Sequence, residues 1–151
     1  MSNDIAREVT EQLFDLSIAL DFIGNAAAER IGINQTDLIC LNLLVRQGPM
    51  SPSQVAAVLG LSTAAISAMA RRLESGGYAY REIDPVDRRR ILMHASPAGT
   101  QRAFGLFDDL YQAMTGLVDG YGAEDAEKLV RMLGDFQRVL TEHAESIRTR
   151  R

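Results

Sequence analysis

Residues Asp84 to Arg90 read Asp-Pro-Val-Asp-Arg-Arg-Arg and lie between two short apolar runs, Tyr78-Ala79-Tyr80 and Ile91-Leu92-Met93. Asp-Pro starts turns, because the proline ring fixes φ and the aspartate side chain bonds nearby backbone donors. The segment therefore predicts a β-hairpin with three consecutive arginines at its tip. A helix rich in small residues, Ser62 to Ser75, precedes it and stops at Gly76-Gly77. A short helix followed by an arginine-tipped ribbon is the layout of a winged helix-turn-helix, a device that reaches two DNA grooves at once.

The residues upstream fit that layout. Ser51-Pro52-Ser53-Gln54 is a capping box with proline at the first helical position. Val55, Ala56, Val58 and Leu59 are expected to form the buried side of the helix it opens. Gly60-Leu61 leaves room only for a tight turn before Ser62 caps the next helix, and two short helices joined this way make a helix-turn-helix. Before them, apolar residues recur at Ile5, Val9, Leu13, Leu16, Leu20, Ile23 and Ala27 in steps of three and four, the pattern of an amphipathic helix that runs into Gly32. Asn34 caps a second helix through Leu38, Leu41, Leu44 and Val45, with Asp37 in its first turn, where a carboxylate favours the positive helix end. It stops at Gly48-Pro49.

After the hairpin, Ser96-Pro97 repeats the cap-then-proline signal. One helix is expected through Phe104, Phe107, Leu110, Tyr111, Met114, Leu117 and Val118, broken at Gly120-Tyr121-Gly122. The last helix opens with Glu124, Asp125 and Glu127. It carries Leu129, Met132, Leu133, Phe136, Val139, Leu140, His143 and Ile147, then frays into Arg148-Thr149-Arg150-Arg151. The fold class is thus mainly α with a small β-hairpin, a winged helix-turn-helix flanked by N- and C-terminal helices. One small winged lobe cannot cover the wide apolar faces of those outer helices, so a partner is implied, and a second copy of the chain is the default.

The net charge of −4 argues against a nucleic-acid partner until its distribution is read. Residues 1–45 carry two arginines against seven acids, and residues 103–151 carry six bases against nine acids. Residues 46–102 carry eight arginines against four acids, a net of +4 in the segment that holds the hairpin. A local positive footprint matters more than total charge for gripping phosphates. No apolar run approaches the ~20 residues needed to span a bilayer, and Met-Ser-Asn-Asp lacks the features of a signal peptide. A cytoplasmic protein with no membrane partner is the expectation. The single Cys40 and two histidines make a poor zinc ligand set, so neither metal nor cofactor is expected. No nucleophile–base pair or glycine-rich phosphate loop occurs at usable spacing, so the sequence does not read as an enzyme.

In the helix from Ser62, Ile66, Met69, Ala70 and Leu73 share one face, which packs inward. The opposite face presents Ala64, Ala68 and Arg71, flanked by Thr63, Ser67 and Arg72. Small side chains let a helix sit deep in a major groove, where alanine and threonine methyls meet thymine methyls and arginine bonds guanine. Thr63 and Ser67 can bond phosphates or bases, and Ser62 completes the candidate set. Arg88 and Arg89 are expected to reach into a narrow minor groove, where the potential is most negative, with Arg90 nearer the phosphates. A solvated helix and a solvated turn whose arginines pair with Asp84 and Asp87 are the plainer readings of the same residues. In a further reading, the winged helix binds another protein and no longer DNA; the three wing arginines and the small recognition face weigh against it.

At this point the chain resembles the MarR family, the multiple-antibiotic-resistance regulators. Ile33-Asn34 through Leu44 is similar to the family's opening helix, and Ser51 to Leu61 to its L-T-x-x-E-L-A-x-x-L-G-L run. Leu73-Glu74-Ser75-Gly76-Gly77-Tyr78 resembles L-E-x-x-G-L-V. Asp84 to Arg90 resembles the wing signature, whose Asp-x-Arg core is Asp87 and Arg89 here, and Ser96-Pro97-Ala98-Gly99 the L-T-x-x-G that follows. The resemblance implies one domain over residues 1–151, with dimerisation helices at 1–32 and 97–151 and a winged helix-turn-helix lobe at 33–96. It implies a homodimer on a palindromic double-stranded DNA operator, with recognition helices in successive major grooves. It also implies a repressor, released by a small phenolic or lipophilic effector bound between the dimer helices and the winged lobe.

The chain departs from the family pattern in places. Many members pair a recognition-helix aspartate with the wing arginine; Arg71 stands there instead, leaving Asp87, the expected wing support, to face Arg71 or Arg72. The reactive cysteine of peroxide-sensing members is missing from the first helix, and Cys40 reads as a buried apolar residue. His94 is expected to point outward into solvent from its strand. His143 lies on an apolar stripe, as a core or interface histidine does. Phe104, Phe107 and Tyr111 suit a ligand pocket and core packing equally.

Overall fold

The computed structural model describes residues 3–149. Met1, Ser2, Arg150 and Arg151, at the two chain ends considered above, lie outside the described residues. The chain forms two compact units, one ending at Leu106 and the other starting at Phe107.

The first unit holds α1 (Asn3–Ile31), α2 (Gln35–Gln47), α3 (Pro52–Leu59), α4 (Thr63–Ser75), β1 (Ala79–Ile83), β2 (Ile91–Ala95) and α5 (Pro97–Phe104). Local chemistry sets most of the boundaries. Asn34 accepts from the Asp37 N–H and starts α2. Ser51 and Gln54 form the full capping box of α3, each side chain bonding the other's backbone N–H. Gly60 ends α3 in the left-handed region at φ 65°, which glycine adopts without a Cβ penalty. Ser62 then caps α4, and the chain turns through 111° between α3 and α4, within the range of a helix-turn-helix. Among the described residues, no single helix is long and apolar enough to cross a membrane.

The core lies where α2, α4 and the ribbon meet. Cys40, Leu41, Leu44, Val55, Ile66, Met69, Ala70, Leu73, Tyr78, Ala79 and Met93 are buried there. The four inward residues expected on α4 are the four it buries. Val58, expected inside, is half exposed, so α3 buries chiefly Val55. β1 and β2 pair antiparallel, Ala79 against Ala95 through Ile83 against Ile91. Met50 adds a bridge to the outer side of β2, exchanging both backbone hydrogen bonds with Met93 at 3.1 and 2.8 Å. This short third segment ties the root of the hairpin to the start of the helix-turn-helix.

Tyr78 joins three elements. Its hydroxyl donates to the Ile31 carbonyl at the end of α1 (2.9 Å) and accepts from Arg102 Nε of α5 (3.1 Å). The Arg102 guanidinium also lies 4.2 Å from the Tyr78 ring centre and donates to the Gly76 carbonyl just past α4. α5 approaches so closely that a Cβ on Gly99 would sit 2.5 Å from Tyr78 Cα.

The helix expected from Pro97 to Val118 is in fact two. Gly105, a poor helix former, caps α5, a 3-10 turn covers Gly105–Phe107, and α6 (Asp108–Tyr121) starts afresh with Asp108 and Asp109 in its first turn. Gly122 at φ 84° leads into α7 (Ala123–Thr149), and α6 and α7 pack on each other. Neither helix buries a residue in the single chain.

Candidate nucleic-acid interface

The exposed side of α4 carries the residues singled out for DNA. Thr63, Ala64, Ser67 and Arg71 are exposed, and Ala68 is half buried. Two of the hydroxyls also serve the helix: Ser62 Oγ accepts from the Ala65 N–H (3.2 Å), and Ser67 Oγ donates to the Thr63 carbonyl (2.9 Å). Their lone pairs stay available to a further donor.

Arg72 does not share the free face with Arg71. Its Nε and Nη2 donate to the two carboxylate oxygens of Asp37 on α2, at 2.9 and 2.6 Å. Asp37 has no solvent exposure, and the planar guanidinium fork suits its carboxylate. Asp37 is therefore more than the first-turn acid that its place in α2 predicts: it anchors the recognition helix. The expectation that Asp87 faces Arg71 or Arg72 is corrected by the same geometry. The Asp87 carboxylate instead accepts from the Arg89 N–H (3.1 Å), and its carbonyl from the Arg90 N–H (2.9 Å). A bond between residues 35 apart leaves no local signal in the sequence.

Asp84, nearly buried, organises the hairpin turn. Its Oδ1 accepts from the N–H groups of Val86 (2.9 Å) and Asp87 (3.3 Å), and its Oδ2 lies 3.9 Å from Arg90. The Val86 N–H, with that of Asp87 and the charge of Arg90, holds its carboxyl below the usual range against the opposing effect of burial. Arg90 also donates to Gln54 of α3 (3.3 Å), so it ties the turn back to the helix-turn-helix. Arg88 and Arg89 are exposed, and among the described residues no side chain or carbonyl holds either guanidinium. Lower on the ribbon, Arg81 makes a two-pronged bond to Glu74 of α4 at 2.7 and 2.6 Å, fixing the ribbon against the recognition helix. His94, expected in solvent, keeps only 19% of its side chain exposed, stacked on Tyr80 at 4.9 Å and 3.7 Å from Glu82.

A groove of about 1200 Å³ borders α4 on the side of α1 and α5. Among the described residues, Arg30, Arg71, Arg72 and Arg102 line it, with Asp37 the one acid. Cys40, on the inward face of α2, is fully buried, and burial, then the nearby Asp37 charge, pushes its thiol up to about 11. Among the described residues, no cluster of His, Cys, Asp or Glu could hold a metal ion.

A family model described as MarR family matches residues 31–90. Over 123 residues, 82% of this chain and 80% of the relative, the sequence is 32% identical to the HTH-type transcriptional regulator YcgE of Bacillus subtilis. The chain belongs to the MarR family of transcriptional regulators. Its function is DNA-binding transcription regulation, not enzyme catalysis. The fold is that of a MarR family protein from Bacillus stearothermophilus, with a TM-score of 0.73 at 14% identity over 93% of this chain and 99% of the other. It is also similar to a single-substitution mutant of S. aureus MepR, solved bound to an oligodeoxyribonucleotide, with a TM-score of 0.58 at 18% identity over 89% and 96% of the two chains.

Proposed function

We propose that this MarR-family regulator works as a homodimer that grips a palindromic operator in double-stranded DNA. One observation carries the reading. The same lobe presents a small-residue helix face with an uncommitted Arg71 and, on a hydrogen-bonded turn, two uncommitted arginines, Arg88 and Arg89. Thr63, Ala64, Ser67, Ala68 and Arg71 read the major groove, with Ser62 at the helix start near a phosphate. Arg88 and Arg89 enter the minor groove, while Arg90 and Asp87 hold the turn. Arg72 leaves the reading set and serves as the anchor. The similar MepR mutant is bound to an oligodeoxyribonucleotide, which supports DNA as the partner.

The dimer rests on α1, α6 and α7. Phe14, Phe22, Val130, Leu133 and Leu140 are among the large apolar residues that the single chain leaves exposed on α1 and α7. A bound dimer that covers a promoter represses it. The arginine-lined groove beside α4 is the candidate effector site, and its charge favours a carboxylate or phenolate over a neutral lipophile. An anion that draws Arg71 into the groove would take it from DNA.

Selection of bound duplexes from a random pool, followed by a gel-shift salt titration, tests the reading. The expected winner is a palindrome with half-sites about one helical turn apart, bound by a dimer with affinity falling steeply as salt rises. Failure to enrich any duplex at low salt would overturn it. Benzoate is the first effector probe, and it should release the selected duplex from the wild type and not from Arg102→Ala.

A further inference from the structure

Ile83 and Ile91 are direct partners across the hairpin and lie on one face of the ribbon. Near its root that face meets the lobe: Ala79 and Met93 are buried, and Arg81 bonds Glu74 of α4. Beyond Arg81 the same face runs past the lobe, and Ile83 keeps 60% and Ile91 48% of their surface in solvent. Val86, at the tip, is 94% exposed although its N–H is fixed by Asp84. A cross-strand pair of β-branched residues steadies a ribbon. Steadying the ribbon does not require a valine held almost fully exposed in the turn.

We propose that Ile83, Ile91 and Val86 form an apolar ridge that packs on the deoxyribose edges of the minor groove flanking each half-site. The inference rests on the DNA-binding reading above and names a surface that reading does not use. Two features select this occupant. Ile83 and Ile91 lie on the ribbon face that turns toward α4 with Arg81, so they follow the recognition helix onto DNA. The turn that joins Ile83 to Ile91 also carries the exposed Arg88 and Arg89, whose charge draws a polyanion rather than a neutral apolar partner. Minor-groove walls are built largely of sugar C–H groups, and branched apolar side chains at such walls sense groove width and step flexibility. The arginines supply attraction to any duplex, and the ridge makes it depend on shape.

The test compares the wild type, Val86→Thr, the triple variant Ile83→Thr/Ile91→Thr/Val86→Thr, and Arg88→Ala/Arg89→Ala on the duplex selected from the random pool. Threonine keeps β-branching at exposed strand positions, and the nearly fully exposed Val86 gives a variant that cannot disturb the core. The triple variant should bind about tenfold more weakly, and Val86→Thr should move the same way by less. The slope of log affinity against log salt should stay that of the wild type, because no charge is removed. The arginine variant should lose affinity and also flatten that slope by about one for each phosphate it no longer neutralises. Wild-type affinity in the triple variant, with the arginine variant weakened, overturns the ridge and leaves the DNA reading standing. Wild-type affinity in both overturns the ridge and the wing's part in DNA binding together. A triple variant that binds DNA normally but changes oligomeric state assigns the ridge to a second copy and likewise overturns the proposal.

Discussion

Arg72 keeps 48% of its side-chain surface in solvent while its partner Asp37 keeps none. Removing either end should therefore have unequal effects. Arg72→Met leaves a carboxylate buried without a countercharge and should cost about 3 kcal/mol of stability. Asp37→Asn leaves an arginine that water still reaches and should cost about 1 kcal/mol or less. Urea unfolding of the two variants checks this, and equal losses would contradict it. Cys40 gives a second test. Its thiol ionises at an ordinary 9.0 in the unfolded chain and at about 11 in the folded one. The unfolded state loses its proton first, so this contribution is complete below 9.0 and drains away as pH rises toward 11. The urea midpoint of the wild type should fall over that interval more steeply than that of Cys40→Ala. At this scale the exposed face of α4 and the exposed Arg88 and Arg89 were legible, because helical and hairpin periodicity decide which side faces out. The Asp37–Arg72 bond and the His94–Tyr80 stack were not, because each depends on where a distant segment arrives.

Helix starts were the most legible elements. Asn34, Ser51, Ser62 and Ser96 each cap the helix that the sequence assigns to them, since a cap is written within four residues. The break at Gly105 was missed because the apolar residues on either side keep helical spacing across it. The Met50 bridge was missed because one residue of pairing leaves no alternation to read. The packing of α5 on the ribbon root makes a sharp prediction. A Cβ at Gly99 would meet Tyr78 Cα at 2.5 Å and the Gly77 carbonyl oxygen at 2.7 Å, both backbone atoms that cannot swing aside. Gly99→Ala should destabilise the lobe by about 2–3 kcal/mol, read as a lowered melting temperature. A melting temperature equal to the wild type's would show that α5 can slide away at no cost.

In the whole molecule, apolar surface is unevenly placed. The first unit buries a core, whereas α6 and α7 carry Tyr111, Leu117, Val130, Leu133 and Leu140 in the open. Those faces could be read from the sequence pattern but their covering could not, because amphipathicity says that a face must be buried and not by what. Leu133→Glu/Leu140→Glu should convert the proposed dimer to monomer in sedimentation while the lobe keeps its cooperative unfolding. A dimer that survives both charges would move the interface elsewhere. A helix of 27 residues with none buried also has a consequence for exchange with heavy water. Its amide hydrogens gain little shelter within one chain, so their protection rises with association. Exchange along α7 should slow as the protein is concentrated, whereas exchange at Leu41 and Leu73 should not, making one stretch of backbone a gauge of how much protein is present.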